Sequence, residues 1–317
     1  MKIALLGTGF GQAHAAVYAQ HGGVDEVIVF GRTPEKLSKI SDQFGFASTT
    51  DLDALIADGS VDLVDICLPT RVHAEVAIRA MQAGRDVLIE LPLATTLEDA
   101  QHIVDAQQAT GRRAFVDMFS RFSPHNQQLQ RAVAEQRYGP LTMLEVENRT
   151  ALLWPGYDLT LNSLALDMMH ADFDLITGLL GRPTTLHVAG LAGLAGRGSA
   201  ATILFDYPEA TARISGSALM PQPYGMRGGW RATLADAVLE YAVSAGFTGQ
   251  GPAKLIEYSA DGERAIELPA ASPYSTMIDH VLACLAGETD NVIEPASALT
   301  ALQFTLEAHQ RLTRRAQ

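Results

Sequence analysis

The sequence predicts an α/β protein built on a doubly wound, parallel sheet, with enough chain left over for a second core. Three observations carry that expectation. Short, near-continuous apolar runs alternate with helix-length segments over residues 1–120, as burial on both faces of a parallel sheet requires. A glycine-bearing turn, GTGFGQ (7–12), follows the first run. The length, 317 residues, exceeds that of one typical domain.

The elements of the first part follow from local signals. KIALL (2–6) is the first strand, with a helix after it from about Gly9 to Gln20. VIVF (27–30) is the second, and Pro34 suits the first turn of the next helix. A short strand near Phe46–Ser48 leads to DLDALIAD, with Asp51 as N-cap. VDLVDICLP (61–69) precedes the helix HAEVAIRAMQAG, which Gly84 closes. DVLIE (86–90) precedes a helix from Thr95, where Thr95 and Glu98 have capping-box spacing. Gly111 ends that helix, and AFVDM (114–118) is the sixth strand. Strand–helix alternation with right-handed crossovers puts a ligand crevice at the C-terminal ends of the strands. Gly7–Gly11, Pro69–Thr70 and Glu90–Pro92 all fall at such ends.

Composition narrows the function classes. The chain is 47% hydrophobic and 19% charged, with a net charge of −13, a balance that repels nucleic acid and anionic lipid. No apolar run approaches the roughly 20 residues of a membrane span, and the N-terminus opens directly into a strand without the pattern of a secretory signal. Cys67 and Cys284 are far apart in sequence, and Cys67, inside VDICLP, is expected as a small buried hydrophobe. These features predict a reduced, cytoplasmic protein with a small-molecule substrate. No Cys/His cluster has metal-ligand spacing, so no metal is expected.

The turn after the first strand is a phosphate cradle. Gly7 permits the tight turn, Gly9 admits close approach of a pyrophosphate, and the helix N-terminus offers unpaired N–H groups. Gly7, Thr8, Gly9, Phe10 and Gly11 are the expected contacts, although the third glycine of the usual pattern falls at Gln12. The end of the second strand selects the cofactor. NAD sites place an acid there for the ribose 2′-hydroxyl. This chain has Gly31-Arg32-Thr33, with Lys36 nearby. Arg32 and Thr33 suit a 2′-phosphate, so NADP(H) is expected, with NAD(H) as the alternative.

With these residues in view, the chain resembles the Gfo/Idh/MocA family, the group of glucose–fructose oxidoreductase and inositol dehydrogenase. The resemblance is carried by GTGFGQAHA (7–15), CLPTRVHAEVAIRAMQAGRDVLIELPLA (67–94), SRFSPH (120–125) and LDMMHADFDLITGLLG (166–181). It implies a dinucleotide-binding Rossmann domain over 1–119 and, over 120–317, an α/β domain on a large open mixed, mainly antiparallel sheet whose face joins subunits into a homodimer or homotetramer. LTMLEVE (141–147), AATILFDY (200–207) and TARISGSA (211–218) agree with such a sheet. The resemblance also puts Pro69, Thr70, His73 and Glu90 around the cofactor, and Arg121 near the substrate. For His73 the alternative is a capping or packing role, for Arg121 an anchor at the domain junction.

Two departures from the family pattern bear on the chemistry. The family's E-K-P reads Glu90-Leu91-Pro92 here, so the lysine that takes part in catalysis is absent. On the later helix the family histidine falls at Ala171 and the histidine is His170, three residues after Asp167 and four before Asp174. An Asp167–His170 pair is the expected proton-transfer unit, with Tyr157 of LLWPGYD in reserve; pairing of His170 with Asp174 is the alternative. The expected activity is hydride transfer with a sugar, cyclitol or related carbonyl. The alternatives are reduction of an imine or conjugated substrate, as in biliverdin reductase-like members that also lack the lysine, and a non-catalytic nucleotide sensor.

Overall fold

The structure, a computed structural model, describes residues 1–152, 158–193, 198–245 and 251–316. The chain divides into two compact units, Met1–Phe122 with Ala271–Leu299 and Ser123–Ala270 with Thr300–Gln317.

The first unit alternates strand and helix: β1 (Lys2–Leu6), α1 (Gly11–Tyr18), β2 (Glu26–Phe30), α2 (Pro34–Phe44), β3 (Ala47–Thr49), α3 (Leu52–Ala57), β4 (Leu63–Ile66), α4 (His73–Gln82), β5 (Asp86–Ile89), α5 (Leu97–Thr110) and β6 (Ala114–Val116). The strands form one sheet in the order β3-β2-β1-β4-β5-β6, every pair parallel. The order reverses between β1 and β4, which opens the crevice. Strands β4 and β5 are buried along their whole length, so their apolar runs could not alternate. Asp51 caps α3, accepting from Ala54 N at 2.9 Å. The cap of α5 is Thr96 rather than Thr95: Thr96 Oγ1 accepts from Asp99 N at 3.0 Å and donates to Asp99 Oδ2 at 2.8 Å.

The second unit comprises α6 (Pro124–Ala134), β7 (Leu141–Thr150), α7 (Leu164–Asp167), α8 (His170–Leu180), β8 (Thr185–Ala192), β9 (Ser199–Asp206), β10 (Thr211–Ser217), β11 (Met226–Leu234), β12 (Ala237–Ala245), β13 (Ala253–Ser259) and β14 (Gly262–Ile266). Its sheet runs β14-β13-β12-β11-β7-β10-β9-β8, antiparallel except where β10 pairs β7. Leu144, Val146, Ile203, Phe205 and Ile214 bury one face in a core shared with Phe173 and Ile176 of α8. Phe173 meets Phe205 edge-on, with ring centroids 5.2 Å apart. The intervening positions carry an ion-pair ladder: Arg213 to Glu145 at 2.8 Å, Arg231 to Glu145 at 3.3 Å and Arg231 to Glu240 at 2.8 Å.

The two closing helices are α9 (Pro273–Ala286) and α10 (Pro295–Ala316). Residues 271–299 return to the first unit, whereas a continuous second domain from residue 120 was expected. The cause is the apolar face of α9, which buries Met277, Ile278, Val281 and Leu282. The Arg113 guanidinium then ties its end, donating to Cys284 O at 2.7 Å and Leu285 O at 3.0 Å. Among the described residues no helix is long and apolar enough to cross a membrane.

Candidate functional site

The turn after β1 has the shape of a phosphate cradle. Gly7 holds φ at 121°, and a Cβ on it would sit 2.3 Å from Cys67 O, so only glycine fits. At Gly9 a Cβ would meet nothing within 4 Å: the space beside this backbone is open. Gly11 packs on Leu5 and Cys67, both 3.4 Å from a Cβ there, the close packing that the missing third glycine would otherwise supply. Gln12, in that third position, folds back and donates to Thr8 O at 3.0 Å. Phe10 is exposed beside the turn. An open backbone and the N-terminus of the eight-residue α1 fit a pyrophosphate.

Arg32, Thr33 and Lys36 are exposed beyond β2. Neither cation makes an ion pair with the described residues, so both are free to meet an anion. Gly31 has a packing reason of its own, since a Cβ would lie 2.8 Å from Thr8 Cγ2.

Backbone bonds extend the sheet past its strands. Cys67 N donates to Leu6 O at 2.9 Å, Glu90 N to Ile66 O at 3.1 Å and Asp117 N to Ile89 O at 2.8 Å. Cys67, Glu90 and Asp117 are thereby brought level at the C-terminal ends of β4, β5 and β6. Beneath them His14 of α1 is wholly buried. Its Nδ1 lies 2.7 Å from Asp65 Oδ2 and its Nε2 3.0 Å from Asp117 Oδ2. A carboxyl group at each ring nitrogen favours the imidazolium form, in which both nitrogens donate. Burial alone would lower its pKa, but the Asp65 charge, the neighbouring Cys67 and the Asp117 bond hold it well above the usual histidine value. Tyr18 OH also donates to Asp65 Oδ2, at 2.8 Å, and Cys67 Sγ to Asp65 Oδ1 at 3.5 Å. Cys67 is therefore buried as expected but has polar neighbours, and burial followed by the Asp65 charge pushes its thiol well up.

Glu90 is partly exposed and accepts from Leu91 N at 2.7 Å through Oε2. Burial first, then the Asp117 charge, raise its carboxyl well above the usual range; the His14 charge and the Leu91 N–H pull the other way. One oxygen of Glu90, one ring nitrogen of His14 and Cys67 Sγ lie within 4.8 Å of one another, a spacing that metal sites also use. Here both His14 nitrogens are committed to carboxylates, so the trio is an acid–base cluster rather than a ligand set.

The other expected residues are placed differently. His73 is fully buried, with Nδ1 3.1 Å from Pro92 O and Nε2 2.7 Å from Leu68 O. Its ring nitrogens face carbonyls of the loops after β4 and β5, and burial pushes its pKa down, so the neutral ring donates to one of the two. Pro69 and Thr70 begin the 3₁₀ turn before α4. Arg121 donates to Val292 O at 2.9 Å and to Ser297 Oγ and O at 3.1 Å, tying the first turn of α10 to the segment before it. The expected Asp167–His170 pair is not formed. Helix α7 stops at Asp167 and α8 starts at His170, so the two residues do not share one continuous helix. His170 is buried, its Nδ1 2.9 Å from Thr305 Oγ1. Burial pushes its pKa down to about 4, and the carboxylate opposing that is Asp174. Asp167 is exposed, and the imidazole that acts on it is that of His309. Tyr157 lies outside the described residues.

Sequence reasoning singled out Glu90 but missed His14, Asp65 and Asp117. The signal was present: Asp65 and Asp117 interrupt the buried runs LVDI and AFVD, and a carboxylate there is costly without a partner.

A doubly wound sheet with an open phosphate turn at its first strand defines an NAD(P)-binding domain. Residues 1–118 match the model of the Gfo/Idh/MocA oxidoreductase family, with an NAD-binding Rossmann fold. It is 34% identical over 152 residues to 4-carboxy-2-hydroxymuconate-6-semialdehyde dehydrogenase of a Sphingobium species, covering 47% of each chain. With inositol 2-dehydrogenase of Rhizobium meliloti it shares 28% over 183 residues, 57% of this chain and 55% of the relative. These matches thus span about half the length of each relative. A solved structure of a putative NADPH-dependent oxidoreductase from Desulfitobacterium hafniense superposes with a TM-score of 0.86 over 99% of this chain and 96% of the other, at 16% identity; that likeness concerns the fold.

Proposed function

We propose that the protein is an NADP(H)-dependent oxidoreductase that moves a hydride to or from a sugar, cyclitol or related small hydroxyl or carbonyl compound. The observation that carries this reading is the open turn at Gly9 with the unpaired cations Arg32 and Lys36 beyond β2. The names of the relatives, an inositol dehydrogenase and a semialdehyde dehydrogenase, support small hydroxyl and carbonyl substrates. When bound, the nicotinamide supplies or accepts the hydride. The residues of the chain hold the pyrophosphate on the α1 N-terminus and the 2′-phosphate on Arg32, Thr33 and Lys36.

NADPH is expected to bind more tightly than NADH. A charge-assisted bond contributes roughly 1.5–3 kcal/mol, so Arg32→Asp should weaken NADPH by about 10–150-fold and leave NADH nearly unchanged. Titration of nicotinamide fluorescence with both cofactors tests this, and equal dissociation constants in the parent protein would refute it. A panel of cyclitols, sugars and semialdehydes, followed by nicotinamide absorbance, tests the activity itself.

The ion-pair ladder on the second sheet supports the further reading that the protein is a homodimer or homotetramer. A face with both signs interleaved, bearing a groove of about 480 Å³ lined in part by Glu145, Arg213, Arg231 and Glu240, can be self-complementary across a two-fold axis. Light scattering at micromolar concentration should give a multiple of one chain's mass; a single-chain particle would reject the assembly.

A further inference from the structure

Resting on the reading above, we propose that Glu90 is the acid of the proton step, holding its proton at neutral pH in a hydrogen bond to Asp117 and giving it to the substrate oxygen. The argument begins with a count of charges. Asp65, Asp117 and Glu90 converge on one imidazolium, His14, in a buried cluster. The other titratable groups facing it are Tyr18 from α1, Cys67 from the end of β4 and Tyr274 from α9, none of them a cation. Burial and the acidic neighbours push both tyrosines up, so neither supplies or removes charge at neutral pH. One cation cannot balance three carboxylates in a medium that penalises each net charge, and two adjacent carboxyls relieve the conflict by sharing a proton.

The hydrogen bonds place that proton. Asp65 uses Oδ2 for His14 and Tyr18, and Oδ1 for Cys67. Asp117 uses Oδ2 for His14, while its Oδ1 is buried without a partner. A buried acceptor left bare is costly. Glu90 stands level with Asp117 at the end of the adjacent strand, and an O–H there is the donor that this oxygen lacks. Glu90 is also the acid of this group that is partly exposed, so it can meet a ligand in the crevice while Asp117 and His14 stay behind it. Leu91, next in the chain, brings no cation that would hold Glu90 ionised.

The step balances as a carbonyl reduction. The Glu90 O–H bond breaks and an O–H bond forms on the substrate oxygen. The hydride of the proposed reaction forms the new C–H bond and leaves the cofactor oxidised, and solvent returns a proton to Glu90. In the oxidising direction Glu90 first releases its proton to solvent, and the carboxylate then takes the alcohol proton.

Infrared spectroscopy of the unliganded protein, with its glutamate side-chain carboxyls isotopically labelled, reads the proton without turnover. A protonated glutamate stretch should persist at neutral pH and vanish in Glu90→Gln. In Asp117→Asn its titration should move down as the like charge is lost; should that variant fail to fold, Glu90→Gln decides. An ionised Glu90 at neutral pH, or a stretch that survives in Glu90→Gln, overturns the proposal. On a substrate from the panel, Glu90→Gln should lower kcat by about 10²–10⁴-fold and flatten its pH profile. Parent-like turnover in that variant overturns the catalytic role. A panel on which the parent protein turns nothing over counts against the oxidoreductase reading and leaves the infrared result standing.

Discussion

Replacing His14 by alanine is expected to cost about 3–5 kcal/mol of folding stability, because it leaves buried carboxylates with no counter-charge. His14 lies at 0% exposure between Asp65 and Asp117, and among the described residues no other cation pairs with either carboxylate. Adding Asp117→Asn should restore part of the loss by removing one of the charges left uncompensated. The pH dependence has a definite sign. The folded pKa of His14 is raised, so its contribution is fully present below the unfolded value of about 6.5 and is lost as pH rises through the folded value. Glu90, also raised, adds a slope of the same direction: above the ordinary carboxyl range the unfolded chain has released a proton that the folded one retains. Urea unfolding of parent and variant across pH measures both. A cost under about 1 kcal/mol, or a parent that gains stability into alkaline pH, would show that the imidazolium is not the counter-charge.

The first unit was legible where its physics is local. Strands buried on both faces must be apolar throughout, so KIALL and DVLI announced themselves. Asp51, Pro34 and Gly111 occupy the helix ends that their chemistry suits. Two adjacent threonines can each cap a helix, and the one-residue shift from Thr95 to Thr96 follows from Asp99 answering Thr96. The break between α7 and α8 could not be read, because the apolar spacing runs through Met168 and Met169 without a proline or glycine. Which core takes α9 was equally hidden, since an amphipathic pattern says that a face is buried and not against what. For the site, each residue carried half of a message. His14 looks like any helix histidine, and Asp65 and Asp117 look like interruptions; only the parallel register that levels β4 and β6 turns them into partners.

The second large effect separates two glycines that the motif treats alike. At Gly7 the backbone has φ 121° and a Cβ would approach Cys67 O at 2.3 Å. Gly7→Ala adds backbone strain of about 1–3 kcal/mol and overpacking of about 1–3 kcal/mol, so roughly 2–6 kcal/mol of stability should be lost. Cofactor binding should fall with it, because the turn that aims the N–H groups must shift. Gly9 faces open space, with nothing within 4 Å of a Cβ and no left-handed backbone. Gly9→Ala should therefore fold with a change under about 1 kcal/mol, yet bind NADPH at least about tenfold more weakly, since the methyl group would occupy the room left for the pyrophosphate. Unfolding curves and cofactor titrations on the two variants give four numbers. If Gly9→Ala binds NADPH as the parent does, the open space at this turn does not hold the pyrophosphate. If Gly7→Ala is as stable as the parent, the contact with Cys67 does not constrain the turn, and the strand end that levels Cys67 with Glu90 has more freedom than its backbone bonds indicate.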